Sequence, residues 1–483
     1  MLAFIITETV RSWLYWSLFA VYALTVLGII GVILGENRNP VKSLAWIAVL
    51  ILFPVGGLVL YIFFGRSIKN THILSRRNRK RLRGLELAPE KASVPRTLSA
   101  ENRRIVTLAR SLTGAGYYEG NAVEVFTDAS TKLDALERDL RAATRYIHLQ
   151  YYIFENDRSG QRIADILMEQ ARRGVKVRVL YDHVGSFHVA SRFFKRMKEA
   201  GVDVRPFFRV AFPTFASRIN WRNHRKLVVI DGEIGYVGGM NIADRYRDGG
   251  KAFDSWRDTH LRLTGPAVAS IQQSFSTDWM FTGGPLLTEP AGATTPRVSG
   301  VRCDAQLITS GPVDRWCNIE LLFLRAIGNA KRRIYIQTPY FLPTDALLRA
   351  LQAAAMARVD VRIMMPRRSD SVILTFASQS YVAESLAAGI KIYFYDAGML
   401  HAKMLLVDDD FCSIGSTNFD FRSFEHNFES NLMVYSPEFN EKMARIFDAD
   451  TSRSSRIRPS AWRRRPLTHR ALQSIVRLLS PIL

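Results

Sequence analysis

Two stretches near the N-terminus carry no charged side chain: residues 12–35 and 43–65. Each exceeds the roughly 20 helical residues needed to cross a hydrocarbon core. Only residues 36–42 separate them, with an Asn39-Pro40 turn signal. The pattern predicts a two-helix transmembrane hairpin over residues 1–66. Trp13, Tyr15 and Trp16 sit near one end of the first span, where amphipathic rings favour the membrane–water interface. Pro54 falls within the second span and predicts a kink, with the freed carbonyl satisfied by neighbours. A cleaved signal peptide fits poorly. The basic Arg11 is offset by Glu8, no small-residue cleavage site precedes the turn, and a second span follows at once.

Beyond a polar, basic linker over residues 67–120, the periodicity alternates between strand and helix. Residues 146–154 form an apolar, aromatic-rich strand run. Residues 163–173 follow with apolar positions at helical spacing, Gly174 ends them, and residues 175–180 alternate as a strand. The second half replays this order with a strand at 334–341, a helix at 346–357 and a strand at 359–365. Strand–helix–strand order predicts an α/β fold with mixed, largely parallel sheets and helices on their faces. Repetition of the whole unit predicts two similar halves, 121–290 and 291–455, each with its own sheet and related by a pseudo-twofold axis.

Charge adds a location. The 483 residues carry a net charge of +22, which implies an anionic partner. Eight basic residues and no acidic one lie between 66 and 83, whereas the hairpin loop holds only Arg38 and Lys42. The positive-inside rule then puts the body and the N-terminus in the cytoplasm. The basic run can also hold anionic head groups, at about 1 kcal/mol per residue near the surface. Cys303, Cys317 and Cys412 have no metal-ligand or CxxC spacing. They read as small buried hydrophobes in a reducing compartment. Residues 456–483 form a basic amphipathic segment. Its apolar face, with Leu467, Ala471, Leu472, Ile475 and Leu478, is expected to lie in the membrane interface or to dock on the body.

The chemistry sits in a motif that occurs twice, 177 residues apart. His224-Arg225-Lys226, Asp231 and Gly238-Gly239-Met240-Asn241 make the first copy. His401-Ala402-Lys403, Asp408 and Gly415-Ser416-Thr417-Asn418 make the second. In both, His to Lys is two, His to Asp is seven and His to Asn is seventeen. On an extended segment the His and Lys share a face. Two lysines and two asparagines can hold the non-bridging oxygens of a phosphodiester. Two histidines can divide the labour, one attacking phosphorus and the other acting as general acid and base. This chemistry needs no metal or cofactor. His148, His183, His188 and His260 are expected to be structural or peripheral.

The paired motifs resemble the phospholipase D superfamily. Together with the hairpin, the chain is similar to bacterial cardiolipin synthases. The similarity extends through Asn39-Pro40, Pro54-Val55-Gly56-Gly57, Gln150-Tyr151-Tyr152-Ile153-Phe154, Gln337-Thr338-Pro339-Tyr340-Phe341, Asn427-Phe428-Glu429 and the C-terminal Leu478-Leu479-Ser480-Pro481. The resemblance implies a duplicated phospholipase D-like fold in the bacterial inner membrane, with the catalytic body on the cytoplasmic side. It implies transfer of a phosphatidyl group from one phosphatidylglycerol to another. His224 would be the nucleophile and His401 the acid and base, with Lys226, Lys403, Asp231 and Asp408 completing the catalytic motifs, although the position of the two aspartates past a buried strand suits a structural turn role at least as well. Asn241 and Asn418 would bind the phosphate. Glu429 and Asp258 would complete the substrate site by orienting the histidines across the cleft. Hydrolysis to phosphatidic acid and transfer to another head-group alcohol use the same intermediate and remain alternatives. The membrane spans argue against a nuclease, so nucleic acid is not the expected partner. Intact His, Lys and Asn in both halves argue against a silent scaffold.

Overall fold

The computed structural model describes residues 2–35, 40–61, 65, 97–209, 220–290, 300–478 and 480. Two units separate, residues 1–67 with 211–220, and residues 68–210 with 221–483. In the first, helix Leu2–Gly35 contains Val10–Gly35, a stretch long and apolar enough to cross a membrane. The expected second span is divided. Helix Pro40–Leu52 ends before Phe53, and helix Pro54–Leu60 begins at the proline, which cannot supply the N–H that a continuous helix needs. Val26, Ile33 and Leu50 share an apolar cluster, and the Tyr22 hydroxyl donates to the Leu50 carbonyl at 2.9 Å, so the long helix and the shorter one pack together. Residues 36–39 of the hairpin loop and the basic run 66–83 lie outside the described residues.

The second unit is built on one mixed sheet. Its first half supplies β1 (Tyr118–Phe126), β2 (Tyr146–Tyr151), β3 (Lys176–Asp182), β4 (Asp203–Phe207), β5 (Leu227–Ile230), β6 (Ile234–Gly238) and β7 (His260–Thr264). The second half supplies β8 (Val301–Ser310), β9 (Arg333–Gln337), β10 (Asp360–Pro366), β11 (Lys391–Tyr395), β12 (Met404–Val407), β13 (Phe411–Gly415) and β14 (Asn427–Tyr435). Read inward, the first half runs β4-β3-β2-β5-β6-β7-β1 and the second β11-β10-β9-β12-β13-β14-β8, with the short strand Ser454–Arg456 added antiparallel outside β11. The two orders are the same, and β1 pairs antiparallel with β8 at the seam, with Asn121 opposite Cys303. The predicted duplication is therefore present in full.

Two expectations about the sheets need correction. The halves share one continuous sheet rather than holding one each. Parallel pairing among these strands is confined to β2–β3, β3–β4, β9–β10 and β10–β11. Only those neighbours are joined by crossover helices. The motif strands β5 and β12 instead turn back on themselves, with Ile230 opposite Ile234 and Val407 opposite Phe411, and a tight turn forces antiparallel pairing.

The residues that make those turns are Asp231 and Asp408, both at positive φ (53° and 50°), a region that Asp tolerates better than most side chains. The Asp231 carboxylate accepts the backbone N–H groups of Thr144, Arg145 and Tyr146 at 2.7–2.8 Å. Asp408 accepts those of Lys331, Arg332 and Arg333 at 2.8–3.1 Å. Each aspartate thus pins the entry of β2 or β9 to the end of its motif strand.

Apolar side chains fill both faces of the sheet. One cluster lies among the first-half helices, another among the second-half helices, and a third joins residues of both halves, among them Leu227, Leu261, Leu406 and Leu432. Cys303 and Cys412 are buried as expected, and Cys317 is half-buried. The polar linker expected to reach residue 120 ends earlier. Ser99 caps helix Ala100–Thr113 by accepting the Asn102 N–H, Gly114 closes it at φ 73°, and Ile105, Val106 and Ala109 bury in the second-half cluster.

Two stability predictions follow from these buried and capping groups. Asp231→Ala should lower the unfolding free energy by about 1–3 kcal/mol, because it orphans several amides and places alanine at positive φ. Asp231→Asn should recover more than half of that, as read by denaturant melts in detergent. His148, fully buried on β2, has Nδ1 2.8 Å from Gln272 Oε1 and Nε2 2.9 Å from Arg178, and stacks on Phe275. Arginine can only donate, so the ring is neutral with its proton on Nδ1. Burial pushes its pKa down to about 4. The unfolded chain therefore takes up this proton as pH falls below about 6.5 while the folded chain does not, and stability is lost between about 6.5 and 4. Between pH 7 and 5 the wild type should lose about 2 kcal/mol more than His148→Gln.

Candidate active site

Two short backbone bridges build the site. Arg222–Asn223, just ahead of His224, pairs in parallel with the start of β14, Asn427 opposite Arg222 and Phe428 opposite Asn223. Met399–Leu400, just ahead of His401, pairs in parallel with Trp256–Arg257. The His224 N–H donates to the Phe428 carbonyl at 2.9 Å, and the His401 N–H donates to the Arg257 carbonyl at 2.6 Å. Each histidine is thus tied to the residue that precedes a carboxylate of the other half.

The side chains complete the exchange. His224 Nδ1 lies 3.0 and 3.1 Å from the two oxygens of Glu429. His401 Nδ1 lies 2.6 Å from Asp258 Oδ2. A carboxylate on Nδ1 fixes the ring and leaves Nε2 for chemistry. Glu429 also receives Asn427 Nδ2 at 3.2 Å and the Ser416 hydroxyl, and Asp258 receives the Thr259 N–H at 2.7 Å. The difference between the motifs at Gly239 and Ser416 has a steric cause. A Cβ on Gly239 would fall 2.1 Å from Asp258 Oδ1, whereas the Ser416 hydroxyl bonds the longer Glu429.

Burial sets the protonation states. It lowers the pKa of His224, with Glu429 opposing and Lys226 assisting. It pushes His401 down to about 4, with Lys403 assisting and Asp258 opposing. Both rings are neutral at pH 7. Burial works to raise Asp258 and Glu429, but Lys403 and His401 in the first case, and His224 and Lys226 in the second, outweigh it and hold both below their ordinary values. Lys226 and Lys403 are buried and fold back to donate to the carbonyls of His224 and His401. Burial pulls them down to about 7 and about 8.

His224, His401, Asn241 and Asn418 line one cavity of about 300 Å³. Asn241 Oδ1 accepts the Ile153 N–H at 3.1 Å, and its Nδ2 donates to the Tyr246 hydroxyl. Asn418 Oδ1 has no hydrogen-bond partner among the described residues. Asp231 and Asp408 are not brought into the site. They stand beyond the far ends of β5 and β12 and hold backbone amides, which corrects the expectation that they belong with the catalytic groups. Reading the sequence also missed Arg222, Arg245 and Arg422, which line the cavity with Asp370 and Asp420 and leave its wall net basic. Arg222 sits two residues before His224, where an extended chain puts both on one face, and that spacing was available as a signal. Nothing local to Arg422 distinguishes it. Tyr152, Tyr246, Trp256 and Tyr340 complete the aromatic part of the wall.

Comparison with known proteins agrees with this geometry. Residues 136–279 and 323–451 match the family described as cardiolipin synthase, PLD-like domain, and residues 23–66 match the phospholipase D-nuclease N-terminal family. The cardiolipin synthase of Halalkalibacterium halodurans is 38% identical over 483 residues, covering 98% of this chain and 95% of that protein. The major cardiolipin synthase ClsA of Bacillus subtilis is 39% identical over 472 residues, covering 96% and 98%. Among solved structures, a phosphatidylserine synthase of Haemophilus influenzae shares the fold with a TM-score of 0.58 at 13% identity, covering 79% of this chain and 100% of that one. With matched halves, crossed histidine–carboxylate pairs and these relatives along nearly its whole length, the chain belongs to the bacterial cardiolipin synthases of the phospholipase D superfamily.

Proposed function

We propose that the chain makes cardiolipin by moving a phosphatidyl group between two phosphatidylglycerol molecules. The observation that carries the proposal is the crossed pair of neutral histidines opening on one basic cavity. His224 Nε2 attacks phosphorus of the first lipid. The bond from phosphorus to the head-group glycerol breaks, and glycerol leaves with a proton from His401 Nε2. The arriving phosphodiester anion favours protonation of His401, which burial alone opposes. His401 then takes the proton from a hydroxyl of the second phosphatidylglycerol. That oxygen attacks phosphorus, the bond to His224 breaks, and cardiolipin forms. Glu429 and Asp258 hold the two rings in place. Lys226 and Lys403, with Asn241 and Asn418, supply donors and positive charge as negative charge builds on the non-bridging oxygens.

The proposal includes the location. The charge-free spans and the eight basic residues at 66–83 support a multi-pass arrangement in the bacterial inner membrane with the body on the cytoplasmic side. In domain terms, residues 1–66 anchor, 121–290 and 291–455 each give half of the site, and 456–483 form a terminal basic segment.

Product analysis on defined lipids tests the reaction. Phosphatidylglycerol alone should give cardiolipin and glycerol in equal amounts. Phosphatidic acid without cardiolipin would leave the hydrolytic alternative, and product formed only with an added alcohol would leave the other transferase. His224→Ala should abolish the covalent intermediate trapped from radiolabelled lipid. His401→Ala should slow both its formation and its discharge by about 10²–10⁴-fold. Glu429→Gln keeps an acceptor near His224 but loses its charge. It should lower turnover by a similar factor without loss of folded protein, as measured by rate and melting point on one preparation.

A further inference from the structure

The C-terminal helix Leu467–Arg477 sits on the body by its less apolar face. Gln473 and Val476 are its buried residues, Gln473 donates to Gln379 at 3.0 Å, His469 meets the Phe376 ring, and Arg477 pairs with Glu384. The opposite face carries Leu467, Ala471, Ile475 and Leu478, at spacings of four, four and three, on one side of the helix. Leu467, Ile475 and Leu478 are 75%, 61% and 80% exposed. Docking against the protein therefore left the apolar stripe outside, where large side chains cost most against water.

The helix it docks on is Val372–Ser380. Phe376 meets His469 and Gln379 meets Gln473, so the two helices run side by side in the same direction. That register brings the start of one beside the start of the other, and Val372 and Ile373 are exposed there too. The same end reaches the active site, since Asp370 and Leu374 line its cavity. Charge surrounds the patch: residues 451–483 contain eight arginines and no acidic residue. Among them Arg463, Arg464 and Arg470 are exposed.

We propose that this two-helix edge inserts into the surface of an anionic bilayer and opens the cavity to it. Leu467, Ile475 and Leu478 enter the acyl boundary with Val372 and Ile373, the arginines meet lipid phosphates, and Leu374 continues the apolar surface to the reacting head group. The inference rests on the reading of the cavity as a phospholipid site. It explains how a substrate can present its phosphorus to buried histidines while its chains stay in the membrane.

Full-length protein in nanodiscs of phosphatidylglycerol and phosphatidylcholine tests this without relying on turnover. With Cys317→Ser removing the half-buried thiol, Ile475→Cys carries a fluorophore and Lys195→Cys, on an exposed polar helix, serves as the control. Nitroxide-bearing lipids should quench the probe at 475 at least twofold and leave that at 195 unchanged. Equal quenching at both, none at 475, or self-quenching at 475 that requires two copies per disc would overturn the proposal, the last by assigning the patch to a second copy. In parallel, Leu467→Glu with Ile475→Glu should cut turnover of long-chain phosphatidylglycerol in bilayers about tenfold. Turnover of a monomeric short-chain phosphatidylglycerol should be unchanged. An equal effect on both substrates, or none on either, would also overturn it. A wild-type chain inactive on every phosphatidylglycerol, with the labelled Ile475→Cys variant still quenched, would instead fault the reaction and leave the membrane edge standing.

Discussion

Everything in the catalytic body depends on the crossing of two chain segments between its halves. The strip before His224 is hydrogen-bonded to the strip before Glu429, and the strip before His401 to the strip before Asp258. Neither half holds a complete site. A histidine without its carboxylate would be a buried ring free to choose its tautomer, and the carboxylate without its histidine would be an uncompensated buried charge. Satisfying both requires the other half in register, so assembly of the sheet across the β1–β8 seam and assembly of the site are one event.

This arrangement explains why so much charge can be buried. Lys226, Lys403, Asp258 and Glu429 are all nearly inaccessible, and each is stabilised by opposite charge from across the seam or by the histidines between them. The lysines bond backbone carbonyls of their own motifs while the cavity wall itself is basic through Arg222, Arg245 and Arg422. An incoming phosphate therefore meets the arginines at the surface of the cavity. It reaches the histidines over a floor in which the lysine nitrogens are already held in place, as preorganised electrostatic catalysis requires.

The motif spacing made the histidines and lysines legible in the sequence, and the repeated strand–helix–strand order made the duplication legible. Both are local periodicities. Pairing direction was less legible, because an acidic turn after a buried strand, as at Asp231 and Asp408, does not say which strand pairs across it. The partners of those aspartates, the amides of residues 144–146 and 331–333, lie far off in the chain, and no local spacing encodes them. Arg422 reaches the cavity through long-range folding, which no spacing around it encodes. Helix Ala100–Thr113 was hidden by its arginines, though its buried face repeats at 105, 106 and 109.

Duplication gives two equivalent histidines, but the proposed reaction needs unequal ones. The structure breaks the symmetry one layer behind the reacting nitrogens. Glu429 divides its charge among His224, Ser416 and Asn427. Asp258 places one oxygen 2.6 Å from His401 and turns the other to the Thr259 N–H, beside Gly239, which has no side chain to offer it. The Gly-to-Ser difference between two otherwise matching motifs thus coincides with the Asp-to-Glu difference across the seam, so the two half-sites are not identical.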